Sequence, residues 1–167
     1  MPLENLPLFP LHTVLFPGGR LPLRIFEMRY MDMAKACLKD RSPFGVCLIR
    51  EGREVGEPAL PASVGTLARI EQWDMPQLGL LEIIALGGER FRILERRVEK
   101  NGLARARVEL LAPDADADAP GSFAYCAHLV ERMPLPLDVR QELLELDDAA
   151  SRLERIKALL EGSAGAT

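Results

Sequence analysis

The sequence predicts an α+β fold, strand-rich over residues 1–112 and helical over 122–162, and three observations carry that expectation. Apolar residues recur with a period of two before Pro113 and with a period near 3.6 after Gly121. Between the two zones, Asp114-Ala115-Asp116-Ala117-Asp118-Ala119-Pro120-Gly121 has no apolar period and ends on a turn signal, which marks 113–121 as a linker. The composition, 48% hydrophobic and 28% charged over 167 residues, supplies enough apolar material for a core without metal or disulfide staples.

Taken in chain order, the first short strand is expected at Val14–Phe16. Phe26, Tyr30, Met33 and Cys37 then follow helical spacing and line one face, with Arg29, Asp32 and Lys35 on the polar side. This helix should stop before Ser42-Pro43, because proline disfavours the α region for its predecessor, and its stripe should cover one opening of the sheet. Strands follow at Phe44–Ile49, Gly65–Trp73 and Leu80–Leu86. Phe91 and Ile93 alternate with Arg90 and Arg92, and Ala104, Ala106, Val108 and Leu110 alternate with Arg105, Arg107 and Glu109. Asn101-Gly102 between these runs predicts a hairpin, since both residues tolerate positive φ. So many short strands suggest a curled or closed sheet.

In the second zone, Ser122 is a candidate N-cap for a stripe of Phe123, Ala127 and Val130 that ends by Pro134. Val139, Leu143 and Leu146 give a second stripe. A third, Ala149, Leu153, Ile156 and Leu160, should close at Gly162 as C-cap, leaving 163–167 as a frayed tail. Helices this short need packing partners, either one another or the sheet.

Charge and motif content narrow the chemistry. A net charge of -4 argues against a dedicated nucleic-acid binder. None of Lys35, Lys39, Lys100 and Lys157 ends a glycine-rich phosphate loop, so nucleotide hydrolysis is not expected. His12 and His128 lie far apart, and neither a metal nor another cofactor is expected. Cys37, Cys47 and Cys126 form no C-x-x-C pair; with no export signal in Met1-Pro2-Leu3-Glu4-Asn5, they predict reduced thiols and a cytoplasmic location. No apolar run reaches the roughly 18 residues that cross a bilayer, so no membrane partner is expected.

Two candidate sites remain. Trp73, Met75 and Pro76 fall where Asp74-Met75-Pro76-Gln77 reads as a polar, proline-broken loop tip, which suggests a peptide contact, the alternative being that Trp73 caps the sheet edge. Arg90, Arg92, Arg96, Arg97, Arg105 and Arg107 lie within one hairpin and form an anionic-ligand patch if they share its wet face. Cross-strand pairing with Glu89, Glu95 and Glu99 is the alternative.

The N-terminal run Leu6-Pro7-Leu8-Phe9-Pro10-Leu11, Val14-Leu15-Phe16-Pro17-Gly18, Leu21-Pro22-Leu23-Arg24-Ile25-Phe26-Glu27 and Arg29-Tyr30 resembles the N-terminal domain of Lon-type ATP-dependent proteases. The likeness continues through Phe44-Gly45-Val46, Val64-Gly65-Thr66, Gly88-Glu89-Arg90-Phe91-Arg92-Ile93, Ala104 to Leu111, Gln141-Glu142-Leu143-Leu144-Glu145 and Arg152-Leu153. It implies a PUA-like β pseudo-barrel with proline-edged first strands and one covering helix, followed by a small C-terminal helical segment. It also implies recognition of unfolded or tagged polypeptide. The proteases of this family continue into an ATPase and a Ser-Lys peptidase, for which 167 residues leave no room, so a single-domain, non-catalytic form is expected. The motif aromatics Phe9, Phe16, Phe26, Tyr30 and Phe91 are expected mostly in the core.

The expected function is therefore a polypeptide-binding module, an adaptor or regulator in protein quality control. Nucleic-acid binding through the Arg90–Arg107 hairpin is the alternative, and a hydrolase with Cys126 or Cys47 as nucleophile beside His12 is a third.

Overall fold

In a computed structural model, which describes residues 2–165, seven strands form one sheet in the order β1-β7-β6-β5-β3-β4, with β2 paired to β6. They are β1 (Leu3–Leu11), β2 (Arg20–Ile25), β3 (Phe44–Glu51), β4 (Leu60–Pro61), β5 (Val64–Gln77), β6 (Leu80–Val98) and β7 (Ala104–Leu110). Helix α1 (Met28–Asp40) separates β2 from β3, and α2 (Phe123–Arg132), α3 (Leu137–Glu145) and α4 (Ala149–Gly165) follow β7. Strand β1 closes the sheet, pairing antiparallel with β7 and parallel with β3. Strands β1, β7, β6, β5 and β3 thus form a ring, and the expected α+β pseudo-barrel is present.

Strand β6 is the spine. It pairs with β5 over Leu80–Arg92, with β2 over Leu81–Leu86 and with β7 over Phe91–Val98. The two strands expected at Leu80–Leu86 and around Phe91 are this one element, because register shifts bend it without breaking it. Strands β1 and β2 escape a period-based reading since Pro7, Pro10 and Pro22 weigh locally against strand. Val14–Phe16, expected as strand, is irregular. Its residues are nonetheless buried, and the Thr66 hydroxyl donates to the Leu15 carbonyl at 2.6 Å.

The motif glycines and aromatics meet inside the barrel. The Phe91 ring lies 2.7 Å from where a Cβ on Gly45 or Gly65 would stand, so both strands need glycine to admit it. Tyr30 stacks on Phe9 at 4.1 Å, seating α1 on the barrel. Helix α1 starts at Met28, two residues later than the spacing suggests, and Phe26 lies outside it, 61% exposed instead of in the core. Arg29, expected on the polar side, is buried. It lies over the Tyr30 ring and donates to the Gly102 carbonyl at 3.0 Å, which ties α1 to the β6–β7 turn. The helix stops at Asp40 as expected, with Arg41 as a left-handed C-cap.

The C-terminal helices share a core with the sheet: Phe16, Leu48 and Val64 join Phe123, Cys126, Leu143, Leu144 and Ile156. Ser122 caps α2, its hydroxyl accepting from the Tyr125 N–H at 3.1 Å. Two arginines fasten this layer. Arg152 lies over one ring, that of Phe123, at 3.6 Å, and Arg90 approaches the same ring at 4.7 Å. Helix α4 runs through Gly162 to Gly165, so Gly162 does not stop it; of the expected tail, Ala166 and Thr167 lie outside the described residues.

Candidate functional site

Where β2, β6 and β5 run side by side, three register rows cross these strands: Pro22-Ile84-Gln72, Leu23-Ile83-Trp73 and Arg24-Glu82-Asp74. Together they line an open hollow of about 850 Å³. Trp73 shares its row with Ile83, which is fully buried, yet 59% of Trp73 is exposed. The reason lies in the pairing. Strand β3 leaves β5 at Ala68, so among the described residues β5 beyond Ala68 is paired on one edge only, with β6.

The segment read as a loop tip, Asp74-Met75-Pro76-Gln77, is instead the end of β5, and the turn proper is Leu78-Gly79. Met75 packs partly against the barrel core, while Pro76 is exposed. Leu78 stands 97% exposed at the turn. It lines a second hollow with Phe26 and Leu80, and Arg24 borders both hollows, making one continuous surface. Ion pairs Arg20–Glu71 at 3.0 Å and Arg24–Glu82 at 3.7 Å neutralise much of the charge beside it. The exposed face is apolar at Phe26, Trp73 and Leu78, and close to neutral around them.

The six arginines of the hairpin do not form one patch. Arg90 is 2% exposed; its guanidinium donates to the carbonyls of Leu144 and Ala112 and to Asp147, so it holds the helices and faces no ligand. Strict alternation would have put it on the wet face, but the sheet is covered there by α3 and the linker. Arg92 sits across from Glu109 on β7. Arg96, Arg97, Arg105 and Arg107 are brought together, around Asn5 of β1.

The three thiols are buried, and burial pushes Cys47 up to about 12 and Cys126 up to about 11. Burial thus favours the protonated thiols near neutral pH, while His12 is exposed at the surface. Among the described residues, no group of three or more His, Cys, Asp or Glu is placed to hold a metal, and no helix is long and apolar enough to cross a membrane.

A family model described as the ATP-dependent protease La (LON) substrate-binding domain matches residues 5–133. The chain belongs to this family. A crystal structure of a Lon N-terminal domain protein from Xanthomonas campestris is 36% identical, covers 93% of this chain and 98% of that one, and superposes with a TM-score of 0.82. The Lon protease of Paraburkholderia phytofirmans is 29% identical over 93% of the chain, and protein cereblon of Gallus gallus 28% over 65%. The chain spans 24% of the length of each of these two curated relatives. The N-terminal domain of a Mycobacterium avium complex Lon protease shares the fold at 16% identity, with a TM-score of 0.68.

In this Lon substrate-binding domain the family motifs build the barrel. Phe9, Phe16, Tyr30 and Phe91 are buried as expected, and the exposed exception, Phe26, is the motif aromatic that reaches the candidate surface. The apolar turn residue Leu78 escaped sequence reasoning. Its signal was the Leu78-Gly79 pair itself, a leucine at a hairpin position where Asn or Asp is usual.

Proposed function

We propose that this Lon-type domain binds exposed, unfolded stretches of polypeptide on the surface made by Phe26, Trp73 and Leu78, with no chemistry of its own, as an adaptor or regulator in protein quality control. The observation that carries the reading is the exposure of these three large apolar side chains along two adjoining hollows, in a domain whose family is described by substrate binding. An unfolded chain offers apolar side chains that this surface can take out of water, while the paired arginines beside it impose no demand on sequence. Three free, buried cysteines fit a reducing compartment, and we place the protein in the cytoplasm.

Trp73 is the single tryptophan, so its emission reports on the surface directly. Titration with a reduced, alkylated polypeptide should shift that emission to the blue, and Leu78→Asp should weaken binding by about tenfold, the share of one buried leucine. Because Leu78 touches almost nothing, the variant should keep the wild-type melting temperature. An unchanged spectrum together with no complex on size exclusion would sink the proposal.

A further inference from the structure

We propose that the arginine hollow at the far end of β6 is a second contact site, one that takes the carboxylates of acidic stretches in a bound polypeptide. It rests on the polypeptide-binding reading above and adds a charge preference to it.

The hollow, about 370 Å³, is lined by Arg96, Arg97, Arg105 and Arg107, with Glu4 and Glu95 also on its wall, over the β1–β7–β6 corner. Asn5 organises it. A register shift between Leu3 and Leu6 throws Asn5 out of the β1–β7 ladder, into a left-handed conformation with φ of 56°. Its side-chain oxygen accepts from Arg97 Nη2 at 2.9 Å, and its carbonyl accepts from Arg105 Nη1 at 3.0 Å. Both acceptors are neutral, so they orient two guanidinium groups without cancelling their charge.

Glu99 pairs with Arg105, and Glu95 lies 3.6 Å from Arg107, but Arg96 has no hydrogen-bond or ion-pair partner among the described residues. Four arginines against Glu4, Glu95 and Glu99 leave one positive charge over, in a chain whose net charge is -4. Alongside, no strand among the described residues pairs with Leu94–Val98 on the side away from β7, and Leu94 and Val98 are exposed. An extended segment laid along this edge finds main-chain partners, two apolar contacts and arginine forks. A planar fork matches a carboxylate with two hydrogen bonds. No aromatic residue lines the hollow, so the stacking platform that single-stranded nucleic acid requires is missing, and acidic polypeptide is the better fit.

The test uses three fluorescent probes: an acidic peptide with interspersed leucines, a neutral apolar peptide of the same length, and a single-stranded oligonucleotide. The acidic peptide should bind with an affinity that falls as salt rises, and Arg96→Ala with Arg97→Ala should cost about tenfold or more. The same double variant should leave the neutral peptide and its Trp73 signal unaffected. Both arginines are exposed, and matching circular dichroism verifies the fold. Asn5→Gly keeps the left-handed backbone while releasing Arg97, and should weaken the acidic peptide alone. Equal binding of the acidic peptide by wild type and double variant, or tighter binding of the oligonucleotide, overturns this site. If the neutral peptide binds and the acidic one does not, this inference falls and the proposed function stands; if neither binds, both fall.

Discussion

At Arg152 a full positive charge is buried with no exposed surface, and its satisfaction is complete in its own neighbourhood. Nε donates to the Gly121 carbonyl at 2.8 Å, Nη1 to the Leu146 carbonyl at 2.6 Å, and Nη2 to Asp114, which is itself nearly buried. Removing one partner leaves the other charge uncompensated, so Arg152→Ala should lower the urea-unfolding free energy by roughly 3–5 kcal/mol. Arg152→Met with Asp114→Asn should cost clearly less than the two single changes added, because the pair disappears together. The thiols make a separate prediction with a definite sign. Desolvation raises Cys47 and Cys126 from 9.0 to about 12 and about 11, so below pH 9.0 their titration leaves stability unchanged. Above pH 9.0 the unfolded chain loses these protons first, and stability should fall by on the order of 1 kcal/mol per pH unit for each thiol until the folded values are passed. Chemical denaturation between pH 8 and pH 11 reads this directly, and alkylation of the folded protein near neutral pH should be slow.

At the scale of elements, the helical layer is held to the barrel by its connection as much as by its faces. Gly121 has φ of 83°, and a Cβ there would lie 2.3 Å from the Ala149 carbonyl oxygen. Gly121→Ala should therefore lower the melting temperature by at least roughly 2–4 °C, and the loss should appear first as faster hydrogen exchange in α2 and α4. Elements with clean periods were legible in the sequence: β7, the β6–β7 turn at Gly102, the end of α1 and the Ser122 cap all fall where pattern and turn chemistry put them. Periodicity missed those whose local chemistry opposes their state, such as β1 and β2 with their prolines, to which only the family resemblance pointed, because long-range pairing outweighs propensity there. The candidate surface was half legible for the same reason. Trp73 could be singled out from composition, but its exposure follows from where β3 departs, which no local window contains. Arg90 shows the reverse case, a residue in perfect alternation that becomes core because distant helices fold over it.

For the molecule as a whole, three clusters of buried residues are stitched by shared strands: Phe9, Phe44 and Val46 lie in one, Leu48 and Val64 in another, and Leu67 and Phe91 in the third. Strand β3 serves all three through Phe44, Val46, Cys47 and Leu48. Barrel and helices should therefore melt together, with calorimetric and van't Hoff enthalpies in agreement. An early, separate loss of helical signal would show that the layer is only loosely attached. Strand β6 sets one more property. Ile83, beside Trp73, and Arg96, in the arginine hollow, are thirteen residues apart on it, at most about 44 Å along a bent strand. If both proposed sites bind, the spine is a ruler for the chain laid on it: a segment shorter than about a dozen residues would touch one end or the other, while a longer one would gain avidity by holding both.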